Sequence, residues 1–215
     1  MKLALYDMDR TITDQPSWMA WLLFWARREA PWRLLLLPGL VPLLACYPLF
    51  GRRGLKQAMH WLLMGRRVPG ARVRLRAAEF AQGFGARAER ADALARMAEE
   101  KAQGWTIVIA TASCGFYAGA LAARWGADAL VATANRWEGD WLTHRIAGDN
   151  CYGEAKARMV GDWLAGREVE AMRFYSDHVS DAPLFAAASE PVAVSPSAAL
   201  ARLAHARGWK IVSWS

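Results

Sequence analysis

From Thr106 onward the chain alternates short apolar runs with longer amphipathic ones, and no other feature of its 215 residues narrows the possible folds as far. Residues 106–110, 129–133, 172–176, 192–194 and 211–212 read as strands, and 115–125, 154–164, 182–188 and 197–206 as helices. Residues 137–142, around Gly139-Asp140, read as a small hairpin. Such alternation argues an α/β fold with a doubly wound parallel sheet, whose ligand site lies beyond the carboxyl ends of the strands. The apolar run at residues 3–6 suits a buried strand of the same sheet. The expected division is therefore a core of residues 1–13 and 96–215, interrupted by a helical insertion of residues 14–95. Within it, the Ala-, Arg- and Glu-rich text from residue 72, which runs on to residue 100, reads as a solvated helix pair stopped by Gly104.

Composition separates the two parts. The chain is 54% hydrophobic with 12 Trp, more apolar than solubility alone requires, so an external apolar contact is expected. Residues 27–76 hold eleven basic side chains against Glu29 alone, a net +10 in a chain whose total is +7, which leaves the remainder mildly acidic. Cys46, Cys114 and Cys151 stand far apart without paired spacing, which argues against a zinc site or a disulfide framework and for a reducing compartment. The apolar start is too short for a signal peptide, so a cytoplasmic origin is expected.

Four weak signals fall at or beside predicted strand ends. Asp7-Met8-Asp9-Arg10-Thr11 follows the first strand and offers two carboxylates that can divide labour, one attacking and one carrying a proton. Thr111-Ala112-Ser113 puts hydroxyls before a helix whose N–H groups suit phosphate oxygens, although an N-cap alone would explain them. Lys156, at a helix start in an arginine-favouring chain, offers a compact ammonium for a phosphoryl group or the attacking carboxylate. Asp177 and Asp181 supply hard oxygens of the kind magnesium takes. Each has a bland reading as a cap or a solvated face; their joint order argues for a phosphate and magnesium site.

With these residues in this order, the chain resembles the haloacid dehalogenase (HAD) superfamily, in particular its phosphoserine-phosphatase-like subfamily IB, over residues 3–13 and 105–195. The resemblance implies a Rossmann-like parallel sheet with helices on both faces and an all-helical cap of the C1 type. It also implies Asp7 as nucleophile, Asp9 as general acid and base, Thr111 and Lys156 as phosphate ligands, and Mg2+ held by Asp7, Asp9 (through its carbonyl), Asp177 and Asp181. The run from Asn150 to Lys156 is similar to one common in the subfamily. Arg10, Ser176 and His178 stand where members often carry smaller residues.

The insertion decides the substrate. Residues 34–50 form a run of seventeen uncharged residues broken by Pro38, Pro42 and Pro48. Strands on both sides of the insertion share one sheet, so the chain must cross a bilayer an even number of times, which excludes a single span. A shallow re-entrant hairpin or an interfacial cap is left, with Trp18, Trp21, Trp25 and Trp32 near Arg27, Arg28 and Arg33 suited to the headgroup layer. Gly51-Arg52-Arg53-Gly54 and Trp61-Leu62-Leu63-Met64-Gly65 look like the cap of the phosphatidylglycerophosphatase C family. That resemblance implies phosphatidylglycerophosphate as substrate, an anionic lipid, at the cytoplasmic face of the inner membrane. The alternative is a soluble small-molecule phosphatase acting on a phosphoserine-like substrate. A non-catalytic membrane module would usually have lost at least one of Asp7, Asp9, Thr111, Lys156 or Asp177, and all five are present; nucleic-acid binding lacks a reading helix or stacking platform. His60, His144, His178 and His205 lack metal spacing and read as structural or surface residues.

Overall fold

The computed structural model describes residues 1–45 and 47–215, with Phe50 described in its backbone only; Cys46 lies outside the described residues. Among them are nine strands: β1 (Lys2–Tyr6), β2 (Arg67–Pro69), β3 (Thr106–Cys114), β4 (Ala129–Thr133), β5 (Asn135–Glu138), β6 (Trp141–Ile146), β7 (Ala171–Ser176), β8 (Glu190–Val194) and β9 (Lys210–Val212). The insertion holds α1 (Ser17–Glu29), α2 (Leu40–Ala45), α3 (Tyr47–Leu63), α4 (Gly70–Phe80) and α5 (Ala86–Ala88). The core adds α6 (Ala91–Ala102), α7 (Gly115–Arg124), α8 (Glu154–Leu164), α9 (Ala182–Ala187) and α10 (Ala198–Arg207).

Six strands form a parallel sheet in the order β4-β3-β1-β7-β8-β9. Their near-continuous apolar text follows from burial on both faces. Leu3, Leu5, Val108 and Phe174 pack with residues of α8, α9 and α10. Ala4, Tyr6, Ile107, Ile109 and Tyr175 pack with α6 and α7 on the other side. This is the α/β, Rossmann-like parallel sheet expected from the strand and helix alternation. The chain winds from β1 outward through β3 and β4, then returns to build β7, β8 and β9 on the other flank. The strand order therefore reverses at β1, where a crevice opens beyond the strand ends. Register fixes what meets there: Tyr6 pairs with Ile109 and with Tyr175. Asp7 thus emerges between the ends of β3 and β7, one residue short of the levels of Thr111 and Asp177.

The insertion leaves at Thr13 and returns at Glu89, which form an isolated antiparallel bridge. Helix α6 follows, and its Met97 and Glu100 are buried against the sheet. A cut at residue 95 would pass through it. The insertion differs from expectation in three ways. It is not all helical: β2 pairs antiparallel with β6, which pairs with β5 as the expected hairpin, so one inserted strand completes a three-stranded sheet with two core strands. The stretch starting at residue 72 is not merely solvated, since α4 buries Val73, Ala77 and Phe80 and α6 buries Ala93, Met97 and Glu100. Finally, Trp21 and Trp25 do not face outward; they are buried with Phe80, Phe84 and Tyr117, with Trp21 stacked on Tyr117 at 5.2 Å. The same cluster continues into the sheet, so insertion and core share one apolar interior. Pro31–Gly39 is a 3₁₀ segment, and α3 is interrupted at Gly51, whose φ of 61° favours glycine. No helix among the described residues is long and apolar enough to cross a membrane.

Candidate active site

The loop after β1 carries Asp7 and Asp9, the end of β3 carries Thr111, and the turn after β7 carries Asp177 and Asp181. Lys156 sits in the first turn of α8. Its helix starts after Gly153, whose φ of 57° and ψ of −130° suit a residue without Cβ. All six face one cavity of about 260 Å³. A larger hollow of about 480 Å³, between β7–β9 and Trp214, holds none of them.

At the floor, the Lys156 Nζ donates to Asp7 Oδ1 and to Asp181 Oδ2, each at 2.7 Å. Asp181 Oδ2 also accepts from Ser176 Oγ at 2.7 Å, which gives the serine found at that position a bonding role. Burial opposes the Lys156 charge, but the carboxylates of Asp7 and Asp181 outweigh it and hold the ammonium above its ordinary range. Burial raises the Asp7 carboxyl to about 7, against the pull of Lys156. Burial also raises Asp177. Any cation entering the cavity would therefore favour the ionised form of Asp7.

The donor set suits a hard divalent cation. Asp181 Oδ1 is buried without a hydrogen-bond partner, and Asp7 and Asp177 turn buried carboxyls into the same cavity. Among the described residues no three acid, histidine or cysteine side chains converge into a closed cage. Magnesium does not ask for one, because it keeps several waters and takes only one or two carboxylates.

Asp9 is held differently. Its Oδ1 accepts from the backbone N–H of Ser17 and its Oδ2 from Ser113 Oγ, both at 2.8 Å. Ser17 Oγ is in turn 3.0 Å from both Ser113 Oγ and Tyr117 Oη. Asp9 thus receives the N-terminus of α1, and the first helix of the insertion is tied to the loop after β1. Thr111, fully buried, accepts from Ser113 N at 3.0 Å. Sequence reasoning missed Ser17, Ser113 and Tyr117 as supports of Asp9; the only available signal was the second hydroxyl of Thr111-Ala112-Ser113, at the end of β3. It also missed Lys56, which reaches from α3 to Ala112 O at 2.5 Å and Asn150 Oδ1 at 2.8 Å and so latches the insertion onto the end of β3 and the loop leading to Lys156. His178 caps the turn carrying Asp181 by accepting from Ser180 N at 3.1 Å. Cys114 and Cys151 are buried free thiols.

Comparison with known proteins places the chain in a family. The haloacid dehalogenase-like hydrolase family matches residues 4–186, and the chain belongs to that family. The protein CicA of Caulobacter vibrioides is 31% identical over 191 residues, covering 87% of this chain and 83% of CicA. A probable phosphatase of Mycobacterium tuberculosis is 32% identical over 127 residues, covering 58% of this chain. That match covers 44% of the mycobacterial protein, so the chain spans under half of that relative's length. Among solved structures, a Bordetella pertussis protein of unknown function superposes with a TM-score of 0.85 at 27% identity, covering 98% of this chain and 97% of that one. A phosphoserine phosphatase, in its phospho-aspartyl intermediate analogue, superposes with a TM-score of 0.64 at 15% identity, covering 98% and 91%, a likeness of fold.

Proposed function

We propose that the chain is a magnesium-dependent phosphomonoester hydrolase that works through a phospho-aspartate on Asp7. The observation that carries this reading is the floor of the cavity, where a buried carboxylate is held by a buried ammonium at 2.7 Å beside Thr111, Asp177 and Asp181. Asp7, the Asp9 carbonyl, Asp177 and Asp181 would hold magnesium, which would offset the repulsion between the anionic nucleophile and an anionic substrate.

The remaining work falls to side chains. Lys156 and the Thr111 hydroxyl hold phosphoryl oxygens while an Asp7 oxygen attacks phosphorus and the bond to the substrate's alkoxide breaks. Asp9 gives its proton to that alkoxide. It then takes a proton from the water whose oxygen attacks phosphorus, releasing inorganic phosphate and the Asp7 carboxylate. The hydrogen bonds from Ser17 and Ser113 keep Asp9 oriented through both transfers.

A small soluble phosphomonoester such as phosphoserine is the substrate this reading favours. Support comes from the likeness to phosphoserine phosphatases and from a histidinol-phosphatase of Neisseria meningitidis, 38% identical over 66 residues. One observation favours a second reading, an anionic lipid such as phosphatidylglycerophosphate at the cytoplasmic membrane surface. The insertion exposes Trp32, Leu35, Val41, Leu44 and Leu49 close together in sequence, with Leu35 82% and Leu49 81% accessible.

The test is magnesium-dependent phosphate release from O-phosphoserine and, separately, from phosphatidylglycerophosphate in mixed micelles, with Asp7→Asn as blank. Loss of the nucleophile should lower turnover by about a thousandfold or more. Residual turnover near the wild-type level would overturn the phospho-aspartate. Release from the lipid alone would select the second reading.

A further inference from the structure

The catalytic cavity has two levels, and they differ in charge pairing. At its floor the cation, Lys156, is buried and fully engaged by Asp7 and Asp181. At its rim stand Arg10 and Arg52, both exposed, with no ion pair or side-chain hydrogen bond to either guanidinium among the described residues. Arg52 comes from α3 of the insertion and lies 4.0 Å over the ring of Tyr152, which belongs to the core loop leading to Lys156. That stacking spans the mouth between insertion and core and fixes the guanidinium plane while leaving its N–H groups free. Arg10 has a φ of 64°, a left-handed conformation that strains a non-glycine residue. Glycine would adopt it without strain, so the position keeps a cationic side chain at the expense of backbone comfort.

We propose that Arg10 and Arg52 recognise a second anionic group on the substrate, a carboxylate or a phosphate carried a few bonds from the phosphoryl group being removed. This rests on the phosphomonoesterase reading and deepens it. With the phosphoryl group at the buried floor beside Thr111 and Lys156, the rim arginines face what is attached to phosphorus. Guanidinium forks pair with carboxylate or phosphate oxygens two at a time, so the site selects doubly anionic phosphomonoesters over neutral or cationic ones. A free metabolite and a lipid headgroup can both present that chemistry.

The test compares kcat/KM within two matched pairs. O-phosphoserine against O-phosphoethanolamine differs by a carboxylate; phosphatidylglycerophosphate against phosphatidic acid, in neutral micelles, differs by a glycerol phosphate unit that brings the second phosphate. The wild-type protein should prefer the doubly anionic member about tenfold or more in at least one pair, and the pair that responds identifies the source. Arg52→Gln and Arg10→Gly should each collapse that ratio, chiefly through KM, while Arg52→Lys retains part of it. Arg53→Gln should leave the ratio alone, because Arg53 turns away to donate to Ile146 O at 3.1 Å. An equal loss on both members of each pair would make the arginines general counter-charges and overturn the proposal. Turnover of p-nitrophenyl phosphate without preference in either pair overturns this inference alone; absence of turnover on every substrate overturns it together with the hydrolase reading.

Discussion

Two fully buried titratable side chains, Glu100 beneath the sheet and His60 inside the insertion, are treated in opposite ways. Glu100 accepts from Tyr6 Oη at 2.5 Å, Tyr175 Oη at 2.6 Å, Arg173 at 3.1 Å and Arg96 at 3.2 Å. Helix α6 is thereby bonded to both β1 and β7, the strands that deliver Asp7 and Asp177. His60 has no partner on either ring nitrogen and lies among Trp18 and Phe116. Glu100 is satisfied by four donors and ties α6 to the two strands that flank the cavity; the His60 imidazole is buried with none. Removing the Glu100 network is the largest test of that difference. Glu100→Ala should cost about 3 kcal/mol in urea unfolding, the low end for a broken buried charge network because Arg96 and Arg173 reach solvent. A loss under about 1 kcal/mol would break the comparison.

The orphan in the insertion makes a smaller prediction with a definite sign. Burial, with a lesser contribution from His144, pushes the His60 imidazole down to about 3. The unfolded chain takes up this proton near pH 6.5 and the folded chain only near pH 3. The contribution of neutral His60 is therefore complete above pH 6.5 and erodes as pH falls toward 3. Between pH 7 and pH 5 the wild-type protein should lose about 2 kcal/mol more than His60→Leu, measured as the difference between their denaturant titrations. Parallel pH profiles for the two proteins would mean that His60 is not held neutral.

The same contrast explains what could be read in the sequence. Asp7, Thr111 and Asp177 were legible because each follows an apolar run that can only be a buried parallel strand, and strand ends gather by register without further information. Strand β2 was not, because Arg67-Val68-Pro69 is too short to show a period and its partner, β6, lies more than seventy residues away. Trp21 and Trp25 misled for a related reason. Aromatic and basic residues at helical spacing fit a headgroup layer as well as a protein interior, and only the arrival of Phe80, Phe84 and Tyr117 from distant segments decides between them. Ser17 and Ser113 were not legible as partners of Asp9 because hydroxyls at helix starts are ordinary caps, and their bonds to Asp9 exist only once the loop after β1 folds over them.

The smallest expected change in stability belongs to the residues that look most out of place. Leu35 and Leu49 have most of their surface in contact with solvent, so replacing both with Gln removes almost no packing. The double variant should unfold within about 0.5 kcal/mol of the wild-type protein, the range of surface substitutions away from caps and buried groups. Each leucine taken from water into an apolar layer gains about 1.5–3 kcal/mol. Under the lipid reading, sedimentation with anionic vesicles should therefore weaken at least about tenfold in the same variant while turnover of a soluble phosphomonoester stays unchanged. Vesicle binding equal to that of the wild-type protein, or absent from both, would leave these leucines as solvent-exposed packing of the insertion and return the substrate to solution.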